Sequence, residues 1–254
     1  MIRRNWTREE LIIAFNLYCK LPFGKLHKFN HDIINLAKLI DRTPSAVALK
    51  LVNFASLDPE LKKRGIKGMS SHSKLDKKIF NEFHNNWTEL LLESELLLEY
   101  YNEKETPQNN TFNRERKIFG KERIIKVKQR VNQHLFRTMV LSNYSENCAI
   151  CDLNNSKLLV ASHIIPWSKN EKERLNPHNG MCLCSIHDKA FDVGLISIDK
   201  NLRLLLSKEI KKLNKNSFNN FFVNYTKKDL NFPKKFYPYP EFLEYHNDTI
   251  FLGA

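Results

Sequence analysis

Cys148-Ala-Ile-Cys151, Ala161-Ser-His-Ile-Ile-Pro-Trp167, Asn176-Pro-His-Asn-Gly180 and Cys182-Leu-Cys-Ser-Ile-His-Asp188, closing on Phe191-Asp192, fall within one 45-residue stretch. Two short half-sites open and close it. Cys148 and Cys151 are separated by two residues, and so are Cys184 and His187. A structural zinc takes four Cys or His ligands, often as two such knuckles. Two matched half-sites 33 residues apart predict a zinc held by Cys148, Cys151, Cys184 and His187. Cys182 is a substitute ligand, because in an extended chain it shares a face with Cys184. Between and beyond the knuckles stand a histidine, an asparagine and two carboxylates, a set suited to proton transfer and to binding a hard cation.

Composition narrows the setting. The 254 residues leave room for one large domain or two ordinary ones, and the formal net charge is +13. A strongly basic surface favours a polyanionic partner. No apolar run reaches the roughly 18 residues that a membrane span requires. Met1-Ile-Arg-Arg-Asn-Trp lacks the apolar region of a secretory signal, so a cytoplasmic location is expected. In a reducing compartment five cysteines do not make a disulfide framework. Clustered Cys-x-x-Cys and Cys-x-x-His then read as metal ligands. Cys19, inside a helical pattern, reads as a small core residue.

The residues between the knuckles resemble the HNH endonucleases, whose fold is a ββα unit around one divalent metal. In that family a pair ending in His sits on the first strand, an Asn follows in the loop, and metal ligands open the helix. Here the pair is Ser162-His163, Asn179 follows 16 residues later, Asp188 nine after that, and Asp192 four further on. Residues i and i+4 share a helix face, so both carboxylates can meet one ion. The resemblance implies His163 as general base, Asn179 as the residue that holds the loop and orients it, and Asp188 in the catalytic position. It implies magnesium or manganese on Asp188 and Asp192 with Ser162 alongside. Many family members have Asp or His in place of Ser162, and a hydroxyl is a weak ligand. His187 is open to two readings, as the fourth zinc ligand or as a ligand of the catalytic metal. The spacing from Cys184 favours zinc.

Residues 1–103 read as helical. Thr7-Arg-Glu-Glu10 is a capping box, followed by Leu11, Ile12, Phe15 and Tyr18 at helical spacing. Further helices are expected over Asp32–Leu39, from Thr43-Pro44 onward, over Lys74–Phe83 and over Trp87–Tyr101. The second and third form a helix–turn–helix-like hairpin. The start of the third helix offers Thr43, Ser45 and Ala46 to a DNA groove, with Lys50 one turn on; the alternative is that the hairpin is scaffold. The last helix carries Leu90, Leu91, Leu92, Leu96, Leu97, Leu98, Tyr100 and Tyr101, which predicts burial in this domain's core or in a dimer contact.

The polar stretch Lys104–Asn113 reads as a linker. Arg114, Arg116, Lys117, Lys121, Arg123, Lys126, Lys128 and Arg130 then place eight cations in 17 residues, able to lie along phosphates or to be a solvated charged segment. A helix over Val131–Leu141 leads into Cys148. Beyond Asp192 a hairpin is expected over Leu195–Leu206, and the aromatic tail Phe236–Phe251 should pack on the same domain.

The expected fold class is therefore α+β. A helical N-terminal domain (1–103) precedes a linker and basic segment (104–125) and a C-terminal zinc-stapled ββα-metal domain (126–254). The resemblance implies a metal-dependent DNA endonuclease of restriction type, including the kind that reads modified bases. The alternatives are a homing or mobile-element nuclease and a non-cleaving zinc-stabilised DNA-binding regulator. The expected partner is double-stranded DNA, with no membrane. One site per chain most simply nicks one strand, so double-strand cutting favours a homodimer.

Overall fold

Thr7 stops the first helix from fraying and Glu10 completes the box: Glu10 N–H reaches Thr7 Oγ1 at 3.3 Å and Thr7 N–H reaches Glu10 Oε2 at 3.1 Å. That helix, α1, is Arg8–Lys20. α2 is His31–Leu39, α3 Pro44–Leu57, α4 Pro59–Lys63, α5 Lys74–Phe83 and α6 Trp87–Glu105. The computed structural model describes residues 4–63, 65, 72–105, 134–233 and 235–253. The chain divides into two compact units, Met1–Leu135 and Phe136–Ala254. The cations Arg114, Arg116, Lys117, Lys121, Arg123, Lys126, Lys128 and Arg130 lie outside the described residues, as does the expected boundary at 125/126, whereas Lys104 and Glu105, expected to open the linker, still belong to α6.

In the first unit α1 packs against α3, α5 and α6. Phe15 brings its ring 4.9 Å from Phe54 and 5.5 Å from Phe80. Two helix caps also carry buried ion pairs. Glu10 accepts from Arg42 at 2.7 Å. Asp76, which caps α5 with Ser73, takes Lys50 Nζ at 2.8 Å on both oxygens. An acid already fixed by a cap loses little further entropy on pairing, so Glu10 ties α1 to the turn between α2 and α3, and Asp76 ties α5 to α3.

Two expectations change here. Lys50 is not a bare cation: its side chain is 12% exposed, its ammonium is spent on the fully buried Asp76, and it also lies over the Trp6 ring. Its charge is thus matched within the unit by Asp76. The apolar helix α6 is only half covered within its unit. Leu90 and Leu91 are buried, whereas Leu96 is 68% and Tyr100 53% exposed. The apolar run is longer than the face that its described neighbours cover. α6 also continues four residues beyond the expected end.

The second unit starts with a helix at 134–143, here α7. Strands β1 (Leu159–His163) and β2 (Gly180–Cys184) pair antiparallel, with Leu159 opposite Cys184 and His163 opposite Gly180. α8 (Ser185–Asp192) follows directly, completing a ββα unit. α8 ends in a Schellman turn. Leu195 N–H bonds to Ala190 O and Gly194 N–H to Phe191 O, at 2.8 and 2.9 Å. Gly194 supplies the required positive φ of 73°, and a Cβ there would meet Ile250 O at 2.0 Å. The expected hairpin forms as β3 (Ile196–Ile198) and β4 (Leu204–Leu206). After α9 (Lys215–Phe221), α10 (Pro240–Thr249) packs on β3. His246 of α10 stacks on Phe191 at 3.7 Å, accepts from Ser197 Oγ at 2.8 Å and donates to Phe191 O at 3.1 Å. The whole molecule is α+β, and among the described residues no helix is long and apolar enough to cross a membrane.

Candidate active site and metal centre

The four knuckle residues meet. One ligand atom from each of Cys148, Cys151, Cys184 and His187 lies within 4.8 Å of every other. The Cys151 and Cys184 sulfurs are 3.8 Å apart, and His187 Nδ1 is 3.2 Å from Cys184 Sγ and 3.6 Å from Cys148 Sγ. Sulfur and nitrogen donors bound tetrahedrally to one zinc stand roughly 3.5–3.8 Å apart. The donor set and its spacing fit that ion.

Each knuckle has a structural reason. Cys184 ends β2 and stands as the N-cap of α8, which turns His187 back toward it. Cys148 accepts the Cys184 N–H on its sulfur at 3.2 Å. His187 Nε2 donates to Phe221 O at 2.7 Å, which leaves Nδ1 for the cluster. Phe222 and Tyr225 close the ring edge-on, both at 5.7 Å. Hydrogen bonds with Cys148 and Cys151, and then with His187, hold Cys184 well below the usual thiol range. The cluster thus favours thiolate at the position facing the imidazole. Cys182 is absent from it. Its sulfur is buried, burial pushes its thiol up to about 12, and its carbonyl accepts the Ala149 N–H. Cys19 is a buried core residue of α1.

The second set surrounds the end of β1. His163 Nε2 lies 2.9 Å from Arg174 O. A carbonyl only accepts, so Nε2 carries the proton and Nδ1 keeps its lone pair. The imidazole stacks on Phe136 of α7 at 4.0 Å and 10°, and meets Trp167 edge-on at 5.5 Å. Burial lowers the His163 pKa from its ordinary value, while the Arg174 carbonyl and the charge of Asp192 act the other way. The ring is therefore neutral near pH 7.

Asn179 is buried and fully used. Its Oδ1 accepts from Ile165 N at 2.8 Å, and its Nδ2 donates to Ile165 O and Glu173 O, both at 3.1 Å. It clamps the two ends of the loop that supplies the Arg174 carbonyl. The backbone bonds of Asn179 thus lie next to the Arg174 carbonyl that His163 contacts.

Asp188 and Asp192 lie one turn apart on α8, Asp188 half-buried and Asp192 more exposed. Burial raises both carboxyls from their ordinary values. The charge of Asp192 raises Asp188 further, and the Ser162 hydroxyl opposes this. Ser162 Oγ is buried without a partner in full hydrogen-bond geometry, yet stands close enough to Asp188 to favour its charged form. Carboxylate oxygens are the donors of a hard dication, and the Asp192 charge acting on Asp188 is what such an ion would offset.

Sequence spacing identified the four residues that cluster but missed the residues that hold them. Phe136, Trp167 and the Arg174 and Phe221 carbonyls carry no signature at the sequence level, since backbone acceptors and distant rings leave no fixed spacing.

No curated protein matches the chain. Residues 148–199, from the first knuckle cysteine to the residue after β3 and including the whole ββα unit, match the family model described as HNH endonuclease.

Proposed function

We propose that this protein is a metal-dependent DNA endonuclease of restriction type that hydrolyses phosphodiester bonds. The observation that carries the reading is the His163–Arg174 hydrogen bond inside the HNH segment, because it leaves Nδ1 as a free base on a neutral ring. In this reading His163 Nδ1 takes the proton of the attacking water. Asn179 holds the loop that keeps the imidazole in place. Asp188 and Asp192, with Ser162 beside them, would hold magnesium or manganese, which when bound stabilises charge on the phosphate and the leaving oxygen. Cys148, Cys151, Cys184 and His187 would hold zinc as a staple.

Double-stranded DNA is the substrate of this reading. Arg114, Arg116, Lys117, Lys121, Arg123, Lys126, Lys128 and Arg130 are its proposed phosphate contacts, and Thr43 and Ser45, both exposed at the start of α3, remain available to bases. A homodimer acting in the cytoplasm would cut both strands.

Ser162 favours one second reading. A hydroxyl where a stronger ligand is common weakens the metal site, which suits a protein that binds DNA without cutting it. One experiment separates them. Purified protein is incubated with modified and unmodified supercoiled plasmid, with magnesium, with manganese and with chelator. Nicking that needs the added ion supports the nuclease, and a difference between the plasmids supports modification dependence. DNA binding with no nicking on either plasmid supports the second reading.

A further inference from the structure

His163 stands opposite Gly180 across the β1–β2 pair. A Cβ built on Gly180 would fall 2.4 Å from Val140 Cγ2 and 2.9 Å from Phe136 Cζ. Real Cβ contacts do not come so close, so the bare glycine is what lets α7 settle against the strands. The residue that fills the space is Phe136, which is 2% exposed. Its ring lies parallel to the imidazole of His163 at 4.0 Å and 10°. α7 is itself pinned to β1: Arg137 donates to Leu159 O and to Ser156 O, each at 2.8 Å.

A single hydrogen bond from Nε2 to Arg174 O fixes the tautomer of His163 but leaves the ring free to swing about that bond. The Phe136 face removes that freedom on one side, and the Trp167 edge at 5.5 Å limits it on another. Direction matters because the Nδ1 lone pair must point at one water. Misplacement by about 1 Å can cost on the order of a hundredfold in rate.

We propose that Phe136 is a positioning residue for His163, holding the plane of the general base by face-to-face stacking, with Gly180 providing the space that brings the ring into register. This rests on the nuclease reading above. It assigns to α7, outside the matched segment, a part in the chemistry carried by β1.

The test uses the full chain and three variants, Phe136→Leu, Phe136→Tyr and His163→Gln. Leucine keeps an apolar side chain in the core but has no ring; tyrosine keeps the ring. The first readout is the proton spectrum of the histidine ring hydrogens, with the His163 signal assigned by its loss in His163→Gln. A parallel ring at this distance shifts that signal upfield. The shift should persist in Phe136→Tyr and vanish in Phe136→Leu, with the other histidine signals unmoved. The second readout is plasmid nicking. Phe136→Leu should lower kcat by about tenfold or more at unchanged KM, and Phe136→Tyr should restore it.

Two results overturn the positioning role while the nuclease reading stands. One is nicking by Phe136→Leu at the wild-type kcat. The other is a loss of activity in that variant accompanied by a general shift of all the histidine signals and a matching fall in melting temperature. If the wild-type protein fails to nick, the nuclease reading falls and the catalytic role falls with it, although the ring shift would still report the stack.

Discussion

His187 Nε2 lies 2.7 Å from the carbonyl oxygen of Phe221, a residue 34 positions further along the chain. That one bond fixes the imidazole tautomer, leaves Nδ1 facing the cysteine cluster, and ties the end of α9 to it. A ligand histidine held through its second nitrogen is better oriented and more basic.

Purified protein should therefore contain about one tightly held zinc per chain. Because an unfolded chain has no such site, zinc affinity counts as folding free energy. Cys151→Ser should cost on the order of 3 kcal/mol or more, roughly 6–12 °C in melting temperature for a chain of this size. Metal analysis and thermal melts check both. A folded, zinc-free protein with unchanged melting would rule the staple out.

His163→Ala should lower the nicking rate by about 10²–10⁴-fold, the usual worth of a positioned base, while mobility-shift affinity for DNA stays near wild type. Nicking at the wild-type rate would remove His163 from the mechanism.

Lys50→Ala should destabilise the first unit by about 3 kcal/mol or more, since it leaves the buried Asp76 carboxylate without its cation. The slope of DNA affinity against salt should stay as in wild type, because the ammonium contacts Asp76 and not a phosphate. A flatter slope in a variant of unchanged stability would return Lys50 to the DNA-binding surface.

The pH dependence of stability should carry a His246 signature. Burial lowers its pKa from 6.5 to about 4 in the folded protein, although the Phe191 carbonyl opposes this. A folded pKa below the unfolded one means that the neutral ring is favoured on folding. Its stabilising contribution is complete above pH 6.5 and is lost as the pH falls toward 4. Melting temperatures of wild type and His246→Gln between pH 4 and 7.5 check this. The variant should show the shallower acid fall, and equal slopes would refute the assignment.

Features that depend on fixed spacing were legible from the order of residues alone. Two residues between ligands set each knuckle, and the i, i+4 interval put Asp188 and Asp192 on one face of α8. The capping box at Thr7 and the Thr43-Pro44 start marked helices whose beginnings depend on local hydrogen bonds. The HNH reading followed from Ser162, His163, Asn179 and Asp188 for the same reason. What each side chain meets depended on how the elements pack. Lys50 had the charge and position of a phosphate contact, but the fold set Asp76 beside it. Leu96 and Tyr100 had the apolar character of core residues, but α6 runs past its described neighbours. Cys182 had the alternation to be a ligand, but the turn of α8 chose Cys184. The Phe136 ring, the Arg174 carbonyl and the Phe221 carbonyl reach the site from separate loops and helices. Backbone acceptors and packed rings are defined by where the chain goes, not by which residues follow one another.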